Sequence, residues 1–240
     1  MKLSAPLYHL KRRAKLLSRD KRIPLHRALD QIAARERFTS WSLLAAEGST
    51  SLSAHDLFAR LSPGDLVLVG ARPGHGKTIL GLELAVEAMK SGRRGALFTL
   101  ESTRQEVANG FRAVGADWRK FDPMFEFDNS DAISAQYIIE KLASAPRGTF
   151  VVVDYLQILD QRREKPELMI QIRAMQSFAR ASGLIFVFIS QIDRSYDPRR
   201  KSCPDLADVR LPNPLDLTLF DKTCFLHNGA IRFHDARQHL

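Results

Sequence analysis

The stretch GARPGHGKT, Gly70 to Thr78, lies between the apolar run Leu66 to Val69 and the helix-like segment ILGLELAVEAMK. A glycine-rich turn that leaves a buried strand and opens a helix can wrap backbone N–H groups around phosphate while the helix directs its positive end at the same group. The P-loop pattern asks for Gly, four free positions, then Gly-Lys-Ser/Thr. Ala71 stands where the first Gly is expected, followed by Arg72, Pro73, Gly74, His75, Gly76, Lys77 and Thr78. All eight are assigned to nucleotide binding, with Lys77 reaching the β- and γ-phosphates and the Thr78 hydroxyl taking Mg²⁺. Glycine is expected at 74 and 76 because the backbone approaches phosphate most closely there. The plain alternative is a strand-to-helix turn that binds nothing.

Around this loop, apolar strands alternate with amphipathic helices. The strands are DLVLVG, GALFTL, TFVVVDYL and LIFVFISQ. The helices are expected over residues 76–91, 103–114, 132–145 and 167–181. Near-continuous apolar strands with helical crossovers imply an α/β fold with a mainly parallel central sheet flanked by helices. The closing segment DKTCFLHNGAIRFHD reads as a C-terminal hairpin turning at Asn228-Gly229. Ahead of the sheet, helices are expected over residues 7–22, from Leu25, and over 41–46, with Leu7, Leu10, Ala14 and Leu17 on one face of the first and Leu25, Leu29 and Ile32 on one face of the second. This makes residues 1–48 a small basic helical extension and residues 49–240 the main domain, joined through the linker-like Glu47 to Ser53.

The net charge of +9 is concentrated in that extension, where about eleven Lys/Arg face about four Asp/Glu in the first fifty residues. Nucleic acid, a neighbouring subunit and solvent all remain open as its destination. Cys203 and Cys224 are too few and too far apart for a disulfide framework or metal-ligand spacing. No apolar run approaches the roughly 18 residues of a membrane span, and no secretory leader is visible, so a cytoplasmic protein with no membrane partner is expected.

In a parallel sheet, ligands bind beyond the carboxyl ends of the strands. Those ends carry Glu101, Asp154, and Ser190 with Gln191. Glu101 is a candidate to act as base or to orient water beside a γ-phosphate, or alternatively an N-terminal charge on the following helix. Asp154 has the form of a Walker B carboxylate holding Mg²⁺, or else it caps a turn. The Gln191 amide can sense the γ-phosphate and report its loss to the next loop, or simply end a strand. That loop holds Arg194, Arg199, Arg200, Lys201 and Arg210 with Tyr196 interleaved. It is either a clamp for a nucleic-acid backbone or a solvated charged surface.

These residues together resemble the RecA-like motor domain of DnaB-type replicative DNA helicases over about residues 52–234. GARPGHGKT is similar to that family's phosphate loop, Ala71 and Arg72-Pro73 included, and LFTLES is similar to its catalytic-glutamate segment. VVVDYLQIL is similar to its Walker B strand, ISQIDR to its Ser-Gln-Leu-Asn-Arg segment, and CPDLADVR to the loop that lines its central channel. The resemblance implies a RecA-like P-loop NTPase, ATP and Mg²⁺ as cofactors, Glu101 as the catalytic carboxylate, and single-stranded DNA near Arg210; Lys77 and Gln191, read from their own positions in the loop and at the strand end, complete the catalytic set. It also implies a homo-oligomer, with a hexameric ring as its form in the family. The expected function is an ATP-dependent helicase-like motor; a recombinase or loader that does not unwind, and an assembly module with little hydrolysis, are the alternatives.

Three departures accompany the likeness. Leu211-Pro212-Asn213 replaces the family's Glu-Ser-Gly, and His227-Asn228-Gly229 replaces its Lys-x-Arg-Asn-Gly, leaving Arg232 and Arg237 as the late cations. The short basic arm stands in place of the family's N-terminal domain.

Overall fold

The computed structural model describes residues 3–5, 7–48, 52–160, 167–197, 200–201, 203–211, 213–227 and 230–239. Three helices come first, α1 (Leu7–Lys21), α2 (Leu25–Arg35) and α3 (Trp41–Gly48). The main body follows as α4 (Ala54–Phe58), β1 (Leu66–Ala71), α5 (Lys77–Lys90), β2 (Gly95–Thr99), α6 (Arg104–Ala113) and β3 (Phe125–Asp128). It continues through α7 (Ala135–Lys141), β4 (Phe150–Asp154), α8 (Leu168–Ser182), β5 (Ile185–Gln191), β6 (Lys222–His227) and β7 (Ala230–Asp235).

The strands form one seven-stranded sheet in the order β3-β2-β4-β5-β1-β6-β7. All neighbours are parallel except the β6–β7 pair. The mainly parallel sheet and C-terminal hairpin thus match the expectation, although the turn residues Asn228 and Gly229 lie outside the described residues. Two elements were not foreseen. Strand β3 (FEFD) is fully buried only at Phe125 and carries charges, so it lacks the apolar run that marks its neighbours. Helix α4 is short and is set by its ends: Ser53 caps it by accepting from the Asp56 N–H, and the Asp56 side chain returns the bond.

Why the central strands are apolar throughout is visible in their two faces. Val67, Val69, Leu97, Val152 and Val187 pack under α4, α5 and α6. Leu66, Leu68, Phe98, Val153 and Phe188 pack under α7 and α8. Successive side chains alternate across the sheet, and helices cover both sides, so every position must be apolar.

The first three helices have their own small core around Leu10, Ala14, Ala28, Ile32, Ala33 and Leu44. Leu10 and Ala14 are on the expected face of α1, and Leu17 packs at its margin; the Leu7 side chain lies outside the described residues. In α2 the buried face is Ala28, Ile32 and Ala33 rather than one led by Leu25, which is 40% exposed. Leu25 opens the helix, where the chain has not yet turned inward. A charged cluster closes the opposite end of the sheet from the phosphate loop. Asp65, fully buried, accepts from Lys222 at 2.6 Å and from Arg237 at 2.5 Å.

Candidate active site

The register places the strand ends in one row. Thr99 of β2 stands opposite Asp154 of β4, Asp154 opposite Ile189 of β5, and Ala71 of β1 opposite both Gln191 of β5 and Leu226 of β6. The turn after β1 reaches α5 with Gly74 at φ +78° and Gly76 at φ +83°. An added Cβ at either would meet nothing within 4 Å. Glycine is therefore required here by the left-handed backbone, which side chains disfavour, rather than by crowding within the protein. Gly76 directly precedes α5, leaving its first N–H groups free of helical partners.

Beside this loop, the Thr78 hydroxyl donates to Asp154 Oδ2 at 2.7 Å. Asp154 is 1% exposed, and its Oδ1 is buried with no hydrogen-bond partner. Burial pushes its pKa up, opposed by the Thr78 bond and by Lys77. A buried carboxylate with one unsatisfied oxygen is costly by itself and suited to a cation. Among the described residues, no group of three or more His, Cys, Asp or Glu is arranged to hold a metal alone. That pattern fits a Mg²⁺ held by Thr78, Asp154 and the phosphates it accompanies.

Lys77, nearly buried, has its ammonium 4.0 Å from Glu101 Oε2. Burial raises the Glu101 pKa against the pull of Lys77, and Asp154 raises it further. The alternative role of Glu101 as the charge that caps α6 is filled by other residues. Thr103 caps that helix and Glu106 completes a reciprocal box. Asp154 likewise spends its bonded oxygen on Thr78 rather than on the turn that follows it.

Gln191 is half-buried beside Ala71. Its carbonyl accepts the Arg210 N–H at 2.8 Å, and Ile192 bridges Val209, so the ends of the 192–210 segment are tied to the strand tip. Arg194, Arg200 and Arg210 are exposed, while Arg199 lies outside the described residues. Lys201 differs, its ammonium lying 2.6 Å from both Asp205 and Asp208. Tyr196 is also not a free aromatic: it is 4% exposed, donates to the Lys201 carbonyl and meets His227 edge-on at 5.5 Å. His227 stacks in turn on His75 of the phosphate loop at 5.7 Å. Gln157, within VVVDYLQIL, was given no role from the sequence, its signal being a polar residue within an apolar run. It is buried and its amide donates to Ser190 Oγ at 3.2 Å and to the Arg210 carbonyl at 2.6 Å. Of the late cations, Arg237 is engaged with Asp65 at the far end of the sheet, whereas Arg232 is exposed on the edge strand β7.

A family model described as "ATPase: KaiC" matches residues 53–204, more than half of the chain. The chain belongs to the KaiC ATPase family. It accordingly carries that family's P-loop ATPase domain, with the RecA-like fold anticipated from its motifs. Relatives within reach of this KaiC-family chain include the replicative DNA helicase DnaB of Helicobacter pylori, 26% identical over 70% of this chain and 41% of the relative. The DnaB of Geobacillus stearothermophilus is 25% identical over 61% of this chain and 39% of the relative. The chain thus spans less than half the length of these helicases. Among solved structures, a DnaB-like replicative helicase studied for its interactions with primase aligns with TM-score 0.54 and 22% identity, covering 68% of this chain and 47% of that one. A KaiC-like protein of Pyrococcus horikoshii aligns with TM-score 0.51 and 15% identity, covering 68% and 70%. At these identities the two structures bear on the fold alone.

Proposed function

We propose that this KaiC-family ATPase works as a DnaB-type motor module that couples ATP hydrolysis to a grip on single-stranded DNA. The observation that carries it is the meeting of Thr78, Asp154, Lys77 and Glu101 at adjoining strand ends, with the basic 192–210 segment tied to the same tips. In this reading the 71–78 loop holds the triphosphate and Lys77 neutralises charge developing on the γ-phosphate. Mg²⁺, held by Thr78 and Asp154, supplies Lewis-acid neutralisation of the phosphate oxygens. Glu101, in its charged form, orients the attacking water. Gln191 senses the γ-phosphate and, through Arg210 and the Gln157 bridge, shifts the segment that presents Arg194, Arg200 and Arg210 to the DNA backbone.

Resemblance to DnaB supports assembly into a homo-oligomer, with a hexameric ring as the form to test. Arg232, exposed at the sheet edge, is the late cation that this reading assigns to a neighbour's nucleotide. The engagement of Arg237 with Asp65 favours a second reading, an ATP-dependent assembly switch with slow hydrolysis. Among the described residues no helix is long and apolar enough to cross a membrane.

The deciding experiment measures ATP turnover with and without single-stranded DNA for the wild type, Lys77→Ala and Glu101→Gln. The motor reading expects DNA stimulation and a loss of about 10²-fold or more in both variants. Turnover that ignores both DNA and the Glu101 substitution would remove it. Slow turnover that Glu101→Gln still abolishes, with nucleotide-dependent assembly, would select the switch.

A further inference from the structure

A cleft of about 540 Å³ opens beside the phosphate loop, and neither Asp154 nor Glu101 is among the residues that line it. Gly74 to Gly76, Ile79 and Leu226 line one wall, and Arg13 and Leu16 of α1 line the other. The strand order fixes its direction. Asp154 is on β4, two strands from β1 on one side; Leu226 is on β6, the neighbour of β1 on the other. With about 4.8 Å between strands, Asp154 lies about 10 Å from β1 to one side, with Glu101 a strand further, and Leu226 about 5 Å to the other. A triphosphate laid across the strand ends with its γ-phosphate at Asp154 and Glu101 has its remaining atoms directed toward β6.

Helix α1 is held at this place through α5. Arg12 and His9 each approach Glu83 at 3.5 Å, and Glu83 is 5% exposed on the helix that the phosphate loop begins. The cleft's chemistry also matches the missing half of the ligand. Leu16 is 47% exposed at the cleft, an apolar side chain that the fold leaves uncovered. It faces a wall carrying Ile79 and Leu226, which suits the flat faces of a base, while the exposed Arg13 suits a sugar or phosphate oxygen.

We infer that this cleft takes the nucleoside half of the bound nucleotide, with the base between α1 and the start of α5, so that the N-terminal helices complete the nucleotide site of their own chain. This rests on the triphosphate reading of the 71–78 loop. It assigns a direction to the nucleotide and gives α1 a role independent of DNA.

The test titrates the full chain with ATP and, separately, with inorganic tripolyphosphate, both with Mg²⁺, by calorimetry. Leu16→Glu changes the α1 wall, and Ala113→Trp fills the cleft from α6, where Ala113 is an exposed lining residue. Each is expected to weaken ATP about tenfold or more while tripolyphosphate stays within about twofold, which also shows that the variant is folded. ATP affinity unchanged in both variants, or equal loss of both ligands, would overturn the inference. Lys77→Ala separates the two levels: it should weaken both ligands in every case, and if it weakens neither, the phosphate-loop reading itself fails.

Discussion

Asp154 shows how a single residue can be poorly placed for stability and well placed for chemistry. Its carboxylate is buried, bonded once by Thr78, and unpartnered at Oδ1. Burial raises its pKa, as it does that of Glu101. A carboxyl with a raised folded-state pKa binds its proton more tightly folded than unfolded. Its contribution to stability is therefore greatest at low pH and declines as pH rises through the folded pKa. In metal-free, nucleotide-free protein at neutral pH, Asp154→Asn is expected to raise the thermal midpoint, while turnover with Mg²⁺ and ATP falls by about 10²-fold or more. A lowered midpoint together with retained turnover would show the carboxylate to be structural. Asp154, Lys77, Thr78 and Glu101 were all legible in sequence, because each follows directly on a recognisable strand or turn. Gln157 was not, because its partners, Ser190 and the Arg210 carbonyl, come from remote parts of the chain.

At the scale of elements, the 192–210 segment divides its cations into two kinds. Sequence treats Arg194, Arg200, Lys201 and Arg210 alike, but Lys201 is neutralised by Asp205 and Asp208 while the three arginines are exposed. Arg194→Ala, Arg200→Ala and Arg210→Ala are each expected to reduce the salt dependence of single-strand binding by about 0.7 in log–log slope. Lys201→Ala should leave that slope unchanged and lower thermal stability instead. Fluorescence anisotropy across a salt series distinguishes them, and a Lys201→Ala slope change as large as that of Arg210→Ala would show the ion pair to open on binding.

A different element-scale expectation concerns the sheet's other end. Lys222 is 2% exposed against a fully buried Asp65, so removing it leaves a buried charge less well compensated. Lys222→Ala is expected to cost about 3–5 kcal/mol in urea unfolding. Arg237→Ala, which removes a half-exposed partner of the same carboxylate, should cost less. Nothing in the sequence announced this cluster, since its members are far apart in the chain and meet only when β1, β6 and β7 pair.

For the whole molecule, charge is the organising quantity. The helical extension carries much of the +9, yet it is not uniformly available. Arg12 turns toward Glu83, while Lys11, Lys15 and Arg19 recur every four residues on α1 and are exposed, forming one outward stripe. If that stripe meets DNA, Lys11→Glu, Lys15→Glu and Arg19→Glu together should flatten the salt dependence of binding by about 2 in slope without altering ATP affinity. An unchanged slope would direct the stripe to a neighbouring subunit. Sedimentation of the same variant, with and without nucleotide, then reads whether assembly has been lost.

The local code was enough for the phosphate loop, the two strand-end carboxylates and the alternation of apolar strands with helices. Each is a short-range consequence of backbone geometry: glycine where φ is positive, continuous apolar residues where both sheet faces are covered, polar residues where a strand meets its ligand. Tertiary structure decided which cations are paired, which aromatic is buried, that Gln157 ties the end of β5 to the Arg210 carbonyl, and that α1 faces the phosphate loop across a cleft. Those are contacts between residues distant in sequence, and their energies depend on burial and on partners that no local pattern contains. GARPGHGKT by itself points to a phosphate ligand; the inferred direction of that ligand rests on the strand order, which only the folded sheet supplies.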